Sequence, residues 1–180
     1  MRYINEDGSL DRQQMFNDVW AGFVRQNWSL SYKLRGRAVD EFCEDVGYYR
    51  TPTFEHECAY RGEVVDGIQT CCGIGHLIPN ELYDPEMEGK AVHYLKYRGA
   101  LLGGIDKIFL AIFGEFPDLI DDDEDFLISI QEIHDEVVTE FLLDKDDEPF
   151  SVRLELGRDS LQRRMIGFAH RYGLNLPKEN

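Results

Sequence analysis

The stretch ECAYRGEVVDGIQTCCGIGHLIPNELYDPEMEG, residues 57–89, decides the fold of this chain. Its first half holds two short runs, ECAYRG and GIQTCCGIG, which flank the segment EVVDG. The pair Asp66-Gly67 in that segment is a strong signal for the tight turn of an antiparallel β-hairpin. We therefore predict a hairpin whose centre falls between Val64 and Val65.

This register predicts how the residues around the hairpin are arranged. Cys58 faces Cys71 across the strand pair, and the second strand ends at Gly73 and Gly75. A short helix follows, and we expect Asn80 to cap it, since an Asn side chain accepts hydrogen bonds from the first backbone amides of a helix.

Outside this stretch, apolar residues recur at the spacing of amphipathic helices. The first helix has Asp11 as its cap and an apolar stripe that runs as far as Val24. The predicted helices cover residues 11–27, 90–97 and 105–113, a long segment capped by Asp122 or Asp123, and a last segment from about Asp159 to Gly173. The fold class is therefore α+β: a mostly helical single domain, residues 1–180, packed around a β-hairpin or small antiparallel sheet.

Composition limits the kinds of protein that this chain can be. Its 180 residues are 43% apolar, which is a globular composition and enough for one domain. No run of about 18 apolar residues occurs, so we predict no membrane span. The N-terminal residues lack the apolar core of a signal peptide, so we expect a cytoplasmic protein with reduced cysteines.

The negative charge is concentrated in one segment. The chain carries a net charge of −16, and residues 115–148 account for −14 of it, with 15 acidic residues against Lys145. Fourteen charges equal those of about 24 Å of duplex DNA, which presents one charge per about 1.7 Å. Such a segment either keeps the protein soluble or competes for a basic, nucleic-acid-binding surface of another protein.

The leading hypothesis is a non-enzymatic binding protein that docks this acidic segment on a basic partner. Direct nucleic-acid binding is not expected, and no cofactor is expected. The predicted partner-binding residues are Asp118, Asp121, Asp122, Asp123, Glu124, Asp125, Asp144, Asp146, Asp147 and Glu148.

Five segments also resemble a group of bacteriophage and bacterial proteins that have no assigned activity. They are QQMFNDV, CAYRG, CGIGHLIPNELYDPEMEG, LISIQEIHD and FAHRYGL, and this chain is longer at residues 30–55 and 141–156. The resemblance implies a compact intracellular fold and a phage origin, so the basic partner would be a host nuclease, polymerase or defence factor. It implies no catalytic residue.

A small-molecule binding protein, such as one that takes up a signalling nucleotide, is the alternative. Basic side chains and a glycine-rich backbone would form its pocket, although the short GxG lacks the rest of a nucleotide-phosphate motif. The candidate pocket residues are Arg35, Arg37, Arg61, Gly73, Gly75 and His76.

Metal and catalytic sites are the remaining candidates. The ligand set would be His56, Cys58, Cys72 and His76, but no CxxC pair occurs, and buried structural cysteines are the interpretation that we favour. A small hydrolase would use Cys72, His76 or His134, because an adjacent imidazole activates a thiol. The sequence contexts of known cysteine hydrolases are absent, so no residue is assigned a catalytic role.

Overall fold

The computed structural model describes residues 2–38, 52–89, 92, 105–115, 119–142 and 148–178. Within these residues the chain is mostly helical and carries small antiparallel strand pairs, which confirms the α+β fold class. The elements are α1 (Arg12–Arg25), β1 (Tyr32–Ala38), β2 (Pro52–Cys58), β3 (Val64–Val65), β4 (Ile68–Gln69), α2 (Gly73–Leu77), two 3₁₀ turns (Asn80–Leu82 and Pro85–Met87), α3 (Ile105–Phe113), α4 (Asp121–Leu142) and α5 (Phe150–Arg171). The helix predicted over residues 90–97 lies outside the described residues, apart from Val92.

Helix α1 begins as the sequence predicts. The Asp11 carboxylate accepts a hydrogen bond from the Gln14 backbone N–H at 2.9 Å, which satisfies one of the free amides of the first turn. The predicted stripe is buried as far as Phe23, but Val24 is 51% exposed. The prediction for Val24 was wrong because the inward face of the last turn is formed by Gly22 and Phe23, against which His76 packs.

Helices α4 and α5 pack side by side in opposite directions, so the end of α5 lies beside the start of α4. Phe168 and Tyr172 of α5 have ring centroids 5.1 Å from that of Phe126 on α4. Phe168 also stacks on Phe16 of α1 at 6.1 Å. Helix α5 ends where Gly173 adopts a φ of 65°, a conformation that favours glycine.

Both long helices begin earlier than predicted. Helix α5 starts at Phe150, well before Asp159, and its additional turns are held by packing of Phe150 on Tyr32 with ring centroids 6.0 Å apart. Asp122 and Asp123 lie inside the first turn of α4 and do not cap it. The Ile120 carbonyl already accepts the Asp123 backbone N–H at 2.9 Å, which starts the helix two or three residues sooner.

Strands β1 and β2 pair antiparallel, with Tyr32 opposite Cys58 and Ala38 opposite Pro52. Cys58 therefore does not face Cys71, and the predicted cysteine pair was wrong. The Asp66-Gly67 turn is confirmed, with φ angles of 52° and 79°.

The hairpin at this turn is shorter than predicted and centred elsewhere. Val65 pairs with Ile68 and Val64 with Gln69, so the centre lies between Asp66 and Gly67 and each strand has two residues. The second strand does not reach Gly73 and Gly75.

A buried glutamine side chain explains why the hairpin strand stops. Gln26 accepts the Cys71 backbone N–H and donates to the Cys71 carbonyl, both at 2.9 Å, so the side-chain amide occupies the place of a neighbouring strand. The backbone then turns into α2, and the Cys72 thiol accepts the Gly75 N–H at 3.4 Å. Gly73 and Gly75 thus lie in a short helix.

The two glycines of α2 allow close packing against its neighbours. A Cβ on Gly75 would overlap the Tyr60 carbonyl oxygen, and one on Gly73 would lie 2.6 Å from Cγ2 of Ile130 on α4. The Asn80 cap was also wrong, since Asn80 is the first residue of its 3₁₀ turn and its side-chain oxygen accepts from Arg61. Residues 72–75 and residues 77 and 78 are therefore buried as part of the structural core.

We predict that Gly75→Ala destabilises the protein by about 1–3 kcal/mol, because the added methyl group meets backbone that cannot rotate away. The measurement is the free energy of unfolding from urea titration, followed by circular dichroism. The matched control is Gly167→Ala in α5, where a Cβ would have no neighbour within 4 Å and should stabilise the helix by about 0.5–1 kcal/mol. Equal effects of the two substitutions would contradict the packing that we describe.

Candidate functional site

The exposed side of α4 carries many carboxylates. Successive helical residues are about 100° apart, and on this spacing seven carboxylates fall within an arc of about 140°. We call this set the α4 acidic face; its members are Asp121, Asp122, Asp125, Glu132, Asp135, Glu136 and Glu140. The opposite arc carries the buried residues Phe126, Ile130 and Val137, so one amphipathic helix separates core from charge.

Two of the predicted partner-binding residues lie on the buried side of α4. Asp123 is 6% exposed and Glu124 is 7% exposed. One Asp123 carboxylate oxygen accepts from Arg12 Nε at 2.8 Å and from Nη2 at 2.6 Å, which ties the start of α1 to the start of α4. Asp123 is therefore part of an internal ion pair and cannot contact a partner in this conformation.

A shallow cavity of 490 Å³ opens at the C-terminal end of the α4 acidic face. Arg164 of α5 lies in its wall and donates to Glu136 at 2.6 Å and also to Glu140. This arginine offsets part of the negative charge there. The lining residues are Glu132, Asp135, Glu136, Thr139, Glu140 and Arg164.

The rest of the predicted acidic set is only partly described. Glu148 is exposed and lies two residues before the start of α5. Asp118, Asp144, Asp146 and Asp147 fall outside the described residues. Of the acidic segment, the structure therefore places seven carboxylates on one face of α4, and Glu148 lies outside that helix.

The candidate ligand pocket is filled by the protein's own backbone. Arg61 is 9% exposed, and its guanidinium donates to the carbonyls of Gly75 and, at 2.6 Å, Ile78. Arg35 and Arg37 lie on β1, with backbone partners Glu55 and Thr53; their side chains are outside what the structure describes. The structure thus brings Arg61, Gly73, Gly75 and His76 together as packed core.

A buried carboxylate that sequence reasoning missed lies beside Arg61. Glu88 accepts four hydrogen bonds, from Lys33 Nζ at 2.9 Å, the Tyr60 and Arg61 backbone N–H groups at 3.0 Å each, and the Tyr83 hydroxyl at 2.7 Å. Burial by itself would raise the pKa of Glu88, but these donors outweigh it and hold the pKa below its ordinary value. No spacing rule in the sequence links Glu88 to residues 33 and 60, because the contacts are long-range.

The cysteine and histidine candidates also have structural roles. Cys72 is 1% exposed and caps α2, and His76 Nε2 is buried without a hydrogen-bond partner, so the two do not form an activated thiol–imidazole pair. Burial raises the pKa of the Cys71 thiol, which disfavours a reactive thiolate. His134 is fully buried, and its Nε2 accepts the Ser31 backbone N–H at 2.9 Å.

A metal site is not formed by the part of the chain that the structure describes, since no three His, Cys, Asp or Glu side chains converge there. The side chains of His56 and Cys58 are outside that part. Among the described helices, none combines the length and the apolar character needed to cross a membrane.

Comparisons with protein-family models, with curated proteins and with solved structures give no match to this chain. The resemblance to phage proteins stays a prediction from sequence. Function must therefore be inferred from the surface and the contacts described above.

We predict that Glu88→Gln costs about 2–4 kcal/mol of stability, because a largely buried carboxylate that accepts from four donors is replaced by an amide that cannot accept from all of them. Urea unfolding at pH 7 measures the loss. The control is Glu81→Gln, an exposed residue of the same segment, which should change stability by less than about 0.5 kcal/mol.

Comparison of Glu88→Gln with wild type also tests the lowered pKa of Glu88. The Glu88 carboxylate binds a proton more readily in the unfolded state than in the folded state. The stability that Glu88 contributes is therefore present above its ordinary pKa and is lost as pH falls below that value. The stability difference between wild type and Glu88→Gln should therefore shrink from pH 7 to pH 3. A difference that does not change over this range would contradict the hydrogen-bonded carboxylate.

Proposed function

We propose that this chain is a non-enzymatic binding protein that docks the α4 acidic face on a basic, nucleic-acid-binding surface of another protein. The observation that carries the proposal is the arrangement of seven carboxylates on one side of α4, a helix that contains no Lys or Arg. An electrostatic surface of this kind speeds association with a positively charged partner. If the chain has the phage origin that its resemblance implies, the partner is a host factor that this protein inhibits or redirects.

The charge spacing indicates which kind of surface fits. From Asp121 to Glu140 the helix rises about 28 Å, so the seven carboxylates of the face amount to one charge per about 4 Å. One strand of DNA presents a charge per about 3.4 Å, and the duplex one per about 1.7 Å. The α4 acidic face therefore resembles a single strand in charge density, and a groove that tracks one strand is the partner surface that fits it best.

The two ends of the α4 acidic face differ in their neighbours. Asp121, Asp122 and Asp125 lie in the first turns of α4, whereas Glu136 and Glu140 share the positive charge of Arg164. Carboxylates in a first turn also stabilise the helix through its dipole. A binding experiment must therefore separate docking from helix stability.

The nucleotide-binding alternative has less support. It needs a cationic side chain with free donors, but the Arg61 guanidinium already donates to the Gly75 and Ile78 carbonyls and to Asn80. Removing it from these acceptors would leave buried carbonyl groups unsatisfied, at a cost of about 1–3 kcal/mol each.

The test is charge reversal at Asp121, Asp122 and Asp125 to Lys, leaving Asp123 in its ion pair with Arg12. Immobilised protein is incubated with nuclease-treated bacterial lysate at low and at high salt, and retained proteins are identified by mass spectrometry. We expect the wild type to retain a basic protein at low salt and to lose it at high salt, because salt screens exposed charges. The reversed variant should not retain it at either salt concentration.

Two controls make the result specific. Reversal of Glu81, Glu155 and Asp159, which are exposed away from α4, changes the net charge equally and should leave retention intact. Asp→Asn at the three α4 positions removes charge without placing cations at the helix start, and melting curves show whether each variant is folded. Retention by the α4 variants, or equal loss in the Glu81, Glu155 and Asp159 control, would reject docking through this face.

Displacement by nucleic acid tests the strand assignment. A single-stranded oligonucleotide should release the retained protein from the wild type, because both compete for the same groove. Failure of single-stranded and duplex oligonucleotides alike to release it would reject the proposal of a nucleic-acid-binding surface.

A further inference from the structure

Two histidines lie on either side of one phenylalanine where α1, α2 and α4 meet. The Phe23 ring of α1 meets His76 of α2 edge-on, with ring centroids 5.0 Å apart and an interplanar angle of 88°. It stacks on His134 of α4 with centroids 6.2 Å apart and parallel planes. The packing of all three helices at this junction therefore depends on these imidazole rings.

His134 ties α4 to the start of β1. Its Nε2 accepts the Ser31 backbone N–H at 2.9 Å. Ser31 also holds the next segment, since its hydroxyl donates to the Ala59 carbonyl at 2.7 Å.

The His76 ring is packed tightly at this junction. Its Nε2 is buried and makes no hydrogen bond, and the ring lies so close to α1 that a Cβ on Gly22 would overlap it. Burial, and then the positive charges of Arg25 and Arg61 and the nearby His134, lower the pKa of His76 from 6.5 to about 3. A proton on Nε2 of a charged His76 would have no acceptor among the described residues.

The titratable and charged groups around the pair come from every neighbouring element. Arg25 of α1 and Arg61, which follows β2, oppose a positive charge on His76. The thiols of Cys71 and Cys72 lie at the start of α2. Asp135 is the carboxylate that faces the pair, and its Oδ1 is 3.9 Å from His134 Nδ1, beyond hydrogen-bond distance.

We propose that His76 forms an acid-sensitive switch at this junction, in which its protonation separates α2 from α1 and α4 and exposes the Cys72 thiol. The switch does not depend on the docking face, since His76 lies on α2.

The sign of the pH dependence follows from the lowered pKa. The unfolded or opened chain binds a proton on His76 near pH 6.5, and the packed chain does not until about pH 3. The junction is therefore most stable above pH 6.5 and weakens as pH falls. Between pH 7.5 and pH 5, His76 alone should raise the opening equilibrium constant about thirtyfold.

The experiment compares wild type with His76→Phe, which fills the same space without a titratable group, and with His76→Gln as a second variant. The full chain is labelled with a dithiodipyridine at pH 7.5 and pH 5, and the Cys72-containing peptide is quantified by mass spectrometry. For each protein, Cys72 labelling at pH 5 is divided by Cys72 labelling at pH 7.5. This ratio should be at least tenfold larger for wild type than for either variant. The control is His170→Gln, an exposed histidine on α5, which should behave as the wild type does.

An NMR titration of the histidine signals tests the switch in the wild-type protein, without any substitution. We expect the His76 signal to stay unshifted below pH 6.5 until the junction opens. A folded protein whose His76 titrates near pH 6.5, or Cys72 labelling that rises equally in wild type and in a folded His76 variant, would overturn the switch.

Discussion

The rest of the structure depends on two buried, oppositely charged side chains that follow β2 and precede the second half of the chain. Glu88 satisfies the backbone N–H groups of Tyr60 and Arg61, while the Arg61 guanidinium satisfies the carbonyls of Gly75 and Ile78. Because each charge is paired with several hydrogen-bonding groups, its burial does not leave an unsatisfied ion. The two side chains fix residues 59–62, α2 and the 3₁₀ turns relative to one another, and Lys33 connects β1 to the same carboxylate.

This network explains the role of the residues that look most like a signature in the sequence. The strings CAYRG and GIGHLIPNELYDPEMEG supply Arg61, the carbonyl groups that it binds, and Glu88. Gly62, Gly73 and Gly75 of these strings lie where other parts of the chain approach closely, and Cys72, just before the second string, caps α2. The distinctive segment therefore maintains the fold, whereas the charge available for binding lies on another element, α4.

The sequence predicts the elements that are determined by neighbouring residues. It does not predict the elements that are determined by contacts between residues far apart in the chain. The α1 cap at Asp11, the Asp66-Gly67 turn, helix 105–113 and the Gly173 stop all follow from neighbouring residues, and the structure has each of them. The short hairpin does not follow, since Gln26, 45 residues away from Cys71, takes the place of a strand. The early start of α5 depends likewise on packing against Tyr32, and residues around Gly157 give no strong apolar stripe.

The candidate site could likewise be predicted from the sequence only in part. Helical spacing alone is enough to place the seven carboxylates of α4 on one arc, but it cannot show that Arg12 reaches Asp123 from 111 residues away or that Arg164 offsets Glu136. Those two arginines bind three of the acidic residues of α4, namely Asp123, Glu136 and Glu140.

The most direct test of the central claim is carboxylate footprinting of the protein alone and in complex with the retained basic partner. A carbodiimide and glycine ethyl ester label exposed carboxylates, and peptide mass spectrometry reads out each site. Docking through α4 predicts that Asp121, Asp122 and Asp125 are labelled several-fold less in the complex, while Glu81 and Glu155 are unchanged. Unchanged labelling of α4, with protection elsewhere, would contradict the account.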